Sequence, residues 1–241
     1  MADPPPGPPS PPAPSAPTTP AGVKGETRIE EPSPRQRTIA RRVAEARATV
    51  PDLELAADID MEAALALTAQ HGCSTTAILI RACALALREQ PRVNGGYRDG
   101  RFELYSRINI GITVVADDAF LTPVVFDADG KSLVELTGEI DLLIQRAATG
   151  QLSPPELAGA TFTVTDLGEH QLLSASAIVA PPQAAALSAG AIREAPMIRG
   201  AEIVPGHAMT IKLACDYRIV YQSQGAGFLA AIKRRIEHGP L

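Results

Sequence analysis

The sequence predicts an α+β fold, a mixed sheet with packed helices behind a Pro-rich N-terminal arm. Three observations carry this reading. Residues 1–20 contain ten prolines, a composition that fixes φ, removes backbone donors and suits an extended spacer rather than a packed element. Residues 34–90 show apolar residues at helical spacing, with caps and stops where helices need them. Beyond residue 100, short β-type runs mix with one further amphipathic helix and show no strict strand–helix–strand repeat, which argues against an all-parallel sheet. The division is therefore a disordered, flexible arm over 1–34 and a single domain over 35–241.

In chain order, SPRQRTIARRVAEARATV places Ile39, Val43, Ala46 and Val50 near helical spacing among many arginines, and Pro51 stops that helix. Leu53 to Ile59 reads as a strand. Asp60 caps a helix over Met61–His71, and Ser74 caps an Ala- and Leu-rich helix over Thr75–Gln90 that is buried on most sides and ends before Pro91. Arg101–Tyr105 and Arg107–Ala116 read as a hairpin or adjacent strands, followed by a strand over Leu121–Phe126 and a turn at Asp127–Gly130. Leu133–Ala148 is an amphipathic helix stopped by Gly150, and Pro154–Pro155 opens a short turn. Thr161–Thr165, Gln183–Ala191 and Met209–Cys215 are strands, and Gly225–His238 is a terminal helix.

Composition narrows the function. The chain has 241 residues, 45% hydrophobic, with 4% aromatics, no Trp and a formal net charge of -5. About 200 residues beyond the arm can bury one sizeable core, and it must rest on Ala, Leu, Ile and Val. No basic stripe interleaved with aromatics is present, which speaks against nucleic acid. No apolar run is long enough for a bilayer, and the N-terminus lacks a signal-peptide pattern, so a cytosolic (cytoplasmic) location is expected. Cys73, Cys83 and Cys215 are odd in number and not in C-x-x-C spacing, so they read as free thiols rather than a disulfide framework or a metal site. Cys215 lies two positions before Tyr217, but nothing beside it in sequence would favour its thiolate.

Several blocks resemble the catalytic domain of the 2-oxoacid dehydrogenase (dihydrolipoyl) acyltransferases, in order and spacing, from about Arg35 to the C-terminus. RQRTIARRVAEARATVP is similar to that family's opening helix, with Arg37 in place, and AILIRACALALREQPRVNGGY to its buried helix and P-x-V-N stretch. INIGITVVADDAFLTPVVF, LSPPELAGATFTVTDLG and AIVAPPQAAALSAGAI resemble three further family blocks. The resemblance implies a chloramphenicol-acetyltransferase-like fold and a homotrimer, or a multiple of trimers, with substrates meeting at a subunit interface. It also implies acyl-CoA as co-substrate, with no covalently bound cofactor and no metal. Lipoyl and subunit-binding domains are not seen ahead of the domain, so a standalone acyltransferase acting on a small-molecule acceptor is expected, in the manner of secondary-metabolism relatives with a tetronate-like substrate.

The catalytic signature departs from the family. Its D-H-R-x-x-D-G-A frame reads Asp216, Tyr217, Arg218, Ile219, Val220, Tyr221, Gln222, Ser223, so tyrosines stand where the resemblance places the base and its supporting aspartate. A phenol has a reference pKa of about 10 against about 6.5 for imidazole, so at neutral pH about one phenol in a thousand is ionised, a handicap of about 4 kcal/mol for a general base. Thr165 occupies the position of the hydroxyl that would hydrogen-bond the oxyanion. His170, in the loop after TDLG, is a candidate replacement base. Asp166 stands where the family has Asn, and the G-x-x-G loop reads Gly168, Glu169, His170, Gln171; with Tyr221, Asp216 and Arg218 these residues make up the candidate acceptor site, Asp216 and Arg218 chiefly by holding the loop through an ion pair. Three readings stand side by side: an acyltransferase whose nucleophile needs little help, a catalytically inactive scaffold, and a repurposed site performing elimination or cyclisation.

Overall fold

The computed structural model describes residues 19–23, 25–116, 119–239 and 241, so the expected disorder of residues 1–18 lies outside the described residues. Within the stretch read as an arm, β1 (Thr19–Gly22) and β2 (Gly25–Thr27) pair as a short antiparallel ribbon. Residues 25–35 are exposed throughout. Helix α1 (Pro34–Thr49) then begins at a capping box. Ser33 Oγ accepts from the Gln36 N–H at 3.2 Å, and Gln36 Oε1 accepts from the Ser33 N–H at 2.8 Å, which satisfies donors that a helix start leaves open.

Strand β3 (Asp52–Asp60) and helices α2 (Glu62–His71) and α3 (Thr75–Glu89) follow within two residues of the sequence reading. The next segment differs from it. β4 (Gly95–Arg98) pairs antiparallel with β5 (Arg101–Leu104), so the strand at 101 turns back on the residues before it rather than on those after it. Asp99 at φ 50° and Gly100 at φ 75° make the connection, the left-handed pair that a two-residue hairpin requires and that an Asp-Gly dipeptide supplies. The run expected over 107–116 divides into β6 (Ile110–Ile112) and β7 (Val114–Ala116), and β7 pairs with β8 (Ala119–Leu121). β9 (Val124–Val125) follows, then helix α4 (Leu133–Ala148) with a second capping box at Ser132 and Glu135.

The C-terminal half supplies β10 (Phe162–Asp166), β11 (Ala185–Ala189), β12 (Arg193–Arg199), the long β13 (Glu202–Asp216) and α5 (Gln222–His238). The sequence reading missed β12 and the first half of β13. They form a charged hairpin with Pro196 opposite Pro205, and neither its propensity nor its alternation marks it as a strand pair. β13 is paired with β3 on one edge and with β11, then β12, along the other. Beyond β11 the mixed sheet continues through β10 and β6, both parallel to it, to β9, which is antiparallel. Inward residues of β3, β10, β11 and β13 bury against α3, α4 and α5. Val50, Ala177, Val179, Ala186 and Ala214 make a smaller cluster elsewhere, Ala186 and Ala214 alternating with the main-core residues of their strands. Among the described residues no single helix is long and apolar enough to cross a membrane.

Phe162 of β10 and Phe228 of α5 are fully buried and meet edge to face with centroids 5.6 Å apart, fastening the last helix onto the sheet. Phe228→Ala removes the ring and leaves a cavity, and is expected to lower stability by about 3–5 kcal/mol. Urea unfolding of purified protein checks this; a loss under about 1 kcal/mol would show that the helix–sheet contact tightens little of the core.

Candidate active site

The end of β13 is built around an ion pair whose carboxylate is buried. Asp216 is 2% exposed, and its backbone N–H donates to the Ala184 carbonyl at 2.8 Å. Its carboxylate accepts from Arg218 Nε at 2.9 Å, Arg218 Nη2 at 2.6 Å and the Arg218 backbone N–H at 3.0 Å. That hydrogen-bonded carboxylate raises the Arg218 pKa above its ordinary value. The Asp216 carbonyl accepts from the Ile219 and Val220 N–H groups at 3.1 and 2.9 Å, a tight turn that sinks Ile219 and Val220 into the core. Tyr217 is held at the turn by its N–H, which donates to the Pro51 carbonyl at 2.9 Å. The Tyr221 N–H donates to Gln224 Oε1 at the start of α5 at 3.0 Å.

The two substituted positions therefore sit together at the surface. Tyr217 and Tyr221 are 47% and 45% exposed, and their rings meet edge to face with centroids 5.9 Å apart. Around them lie residues that the sequence reading did not single out. The Arg218 guanidinium stacks 4.6 Å from the Tyr97 ring, and the Arg92 guanidinium lies 4.8 Å from the Phe102 ring and 6.0 Å from the Tyr221 ring. Tyr97 and Phe102 are themselves in contact, 6.2 Å apart across the β4–β5 hairpin. The misread hairpin thus forms one wall of the patch, which is why only its Asp-Gly turn could have signalled this neighbourhood.

Thr165 belongs to a second group at the other end of the sheet. Its hydroxyl lies 2.9 Å from that of Thr113, either of which can donate. Thr113 is placed by its own N–H, which donates to the Val164 carbonyl at 3.0 Å. Asp166 next along is fully engaged: Oδ2 accepts from the Thr76 hydroxyl at 2.7 Å and Oδ1 from the Gly168 N–H at 3.0 Å. It ties the end of β10 to the first turn of α3, where a helix N-terminus favours negative charge. His170 is exposed in the one-turn 3₁₀ helix Gly168–His170, and its ring makes no hydrogen bond among the described residues.

Register gives the separation of the two groups. Thr165 pairs with Ser188, and Ser188 with Lys212. Tyr217 lies five residues further along the chain from Lys212. Two strand spacings across and five residues along amount to about 19 Å. On one chain, Thr165, Asp166 and His170 stand at the carboxyl end of β10, while Asp216, Tyr217, Arg218 and Tyr221 stand at the opposite end of the sheet. The chain thus carries two separate groups of candidate residues, and His170 is not beside Tyr217 of the same chain.

The buried thiols add no nucleophile. Cys73, Cys83 and Cys215 are free and buried. Burial, reinforced by Asp216, pushes the Cys215 thiol up to about 12, and burial raises Cys83 as well. Among the described residues no group of three or more His, Cys, Asp or Glu side chains is placed to hold a metal ion.

The comparisons with known proteins place this architecture. The sequence pattern of the 2-oxoacid dehydrogenases acyltransferase (catalytic domain) family matches residues 24–240. The dihydrolipoyllysine-residue acetyltransferase component of the pyruvate dehydrogenase complex of Rhizobium meliloti is 32% identical over 216 residues, covering 84% of this chain and 48% of that protein. The chain thus spans about half the length of the curated relatives it matches. A probable dihydrolipoamide acetyltransferase from Listeria monocytogenes superposes with a TM-score of 0.83 at 26% identity, covering 88% of this chain and 95% of that one. A chloramphenicol acetyltransferase superposes at 0.57 and 15% identity, covering 82% and 94%, so the fold is chloramphenicol-acetyltransferase-like.

A thiol whose folded-state pKa is raised keeps its proton until the pH passes that value, and unfolding removes the restraint. At a pH of about 8 the native protein is expected to take up almost no thiol reagent, and three equivalents in denaturant. Stability should fall as pH rises from about 9 to about 12, the interval over which the unfolded chain ionises and folded Cys215 does not. Rapid labelling of any one thiol in the native protein would contradict the burial of these three cysteines.

Proposed function

The chain belongs to the 2-oxoacid dehydrogenase acyltransferase family through its catalytic domain, and on that premise we propose that it transfers an acyl group, acetyl in the first instance, from acyl-CoA to a small-molecule acceptor without a histidine base. The observation that carries the reading is the Thr165 hydroxyl, paired with Thr113 at 2.9 Å at the carboxyl end of β10. If Thr113 donates to Thr165 Oγ1, the Thr165 proton is left to donate to the oxyanion that forms when the acceptor attacks the thioester carbonyl. Collapse of that intermediate breaks the C–S bond and releases the CoA thiolate.

The separation of about 19 Å between Thr165 and Tyr217 supports a site formed between copies, as a homotrimer or a multiple of trimers, with the Thr165 end of one copy facing the Tyr217 end of the next. In that arrangement His170 of one copy is within the same half-site as its own Thr165, and is the alternative proton acceptor. The acceptor either arrives ionised, as an acidic enol does, or relies on proximity, which alone supplies a large part of a barrier reduction. The altered loop at Gly168–Gln171 and the charge at Asp166 favour a small molecule over a lipoyl thiol. A tetronate-like metabolite in natural-product assembly is the reading by analogy. The exposed tyrosine pair in place of a base and its carboxylate favours a second reading, a non-catalytic member of the fold; elimination or cyclisation in a repurposed site is the third.

Calorimetry with acetyl-CoA, followed by free-CoA release against alcohols, amines and acidic enols, separates these readings. Binding with acceptor-dependent release is expected, and no binding would leave the scaffold or the repurposed site. Product analysis separates acyl transfer from elimination. Thr165→Ala should lower kcat by about 100-fold, the effect of losing one oxyanion donor, with little change in melting temperature; an unchanged rate would remove Thr165 from the mechanism.

A further inference from the structure

Resting on the acyl-transfer reading, we propose that Arg92 is the anchor of the acceptor and that the acceptor is an acidic enol bound as its enolate. Arg92 follows Pro91 at the end of α3 and is half-buried. Its guanidinium lies against Phe102 at 4.8 Å and Tyr221 at 6.0 Å. Two neighbouring arginines have carboxylates: Arg218 holds Asp216, and Arg98 stands 3.8 Å from Glu103. Among the described residues Arg92 has no ion pair and no hydrogen bond. It is thus an uncompensated, partly desolvated cation beside Tyr221, whose ring in turn meets Tyr217.

Stacking engages the faces of a guanidinium and leaves its N–H donors free in the plane. Those edge donors match a planar, delocalised oxyanion two at a time. The ligand chemistry agrees with the loss of a base. An enolate oxygen attacks the thioester carbonyl carbon directly: the C–O bond forms, the C–S bond breaks, and the CoA thiolate takes its proton from water. No group on the protein has to remove a proton first, and a phenol at position 217 is then no handicap.

The test uses the full-length protein and dimedone, a cyclic diketone whose enol is ionised at neutral pH, with its neutral O-methyl enol ether as control. Calorimetric affinities for both, and for acetyl-CoA, are compared in wild type, Arg92→Gln and Arg92→Lys. Arg92→Gln should weaken dimedone at least about tenfold, as expected for a lost charge-assisted hydrogen-bonded pair. Arg92→Lys should weaken it less, the ether should bind weakly and equally to all three, and acetyl-CoA should be unaffected. Equal dimedone affinity in wild type and Arg92→Gln, or no dimedone binding by wild type, would overturn the proposal. So would a loss confined to acetyl-CoA, which would assign Arg92 to the CoA phosphates. The binding assay needs no turnover. Arg92-dependent dimedone binding without CoA release from any acceptor would end the acyl-transfer reading and leave the anion site standing.

Discussion

From Ala208 to Asp216, β13 makes ladder hydrogen bonds on both edges, to β3 on one side and, for most of that length, to β11 on the other. A slip of one residue would turn Ile211, Leu213 and Cys215 out of the core, so its register is fixed from both sides. Because β10 and β11 run parallel and β13 runs against them, the carboxyl ends of β10 and β13 lie at opposite ends of the sheet. The separation of the two candidate groups follows from that topology. The Asp216–Arg218 pair, its carboxylate buried, then sets the direction in which the chain leaves β13, and so the placement of Tyr217 and Tyr221. The pair has a positioning role: a carboxylate enclosed to this degree and fully hydrogen-bonded is unavailable to substrate.

What was legible in the sequence was what strong periodicity and local caps encode. The helices α1 to α4, the strands β3 and β10 and the apolar half of β13 were read within a few residues from their periodicity. Ser74 caps α3 as expected, whereas the N-cap of α2 is Met61 rather than Asp60 and has no side-chain cap bond. The caps Ser33 and Ser132 became visible only in the structure. The hairpin of β4 and β5 was misread because its strands are short and weakly alternating, and only Asp99–Gly100 betrayed it. β12 and the start of β13 were missed because their apolar residues Ile198 and Ile203 face solvent with prolines alongside. At the site, the signature tyrosines could be named from the frame of Asp216 to Ser223, and so could Thr165. Arg92, Tyr97, Phe102 and Thr113 could not. Their significance lies in contacts between distant segments, 92 with 102 and 221, 97 with 218, and 113 with 165, and those exist only once the sheet has assembled.

The chemistry that these contacts allow differs from proton abstraction. An imidazole removes a proton from its acceptor; in the proposed reading the tyrosines do not, and the cation beside Tyr221 binds an acceptor that is already an anion. Exchange of a base for a cationic, aromatic surface moves the burden of ionisation from the protein to the acceptor, and specificity then rests on the acidity and planarity of that acceptor. The oxyanion role proposed for Thr165 is independent of this exchange, because Thr165 stands at the other end of the sheet.

The most direct test of base-free transfer is the pH dependence of kcat/KM for CoA release from acetyl-CoA to an acceptor already ionised below neutrality. The account predicts a flat profile between about pH 6 and about pH 8. A rate that falls tenfold per unit below a pKa of about 6.5 would show an imidazole in the proton transfer, place His170 back in the mechanism, and contradict the account.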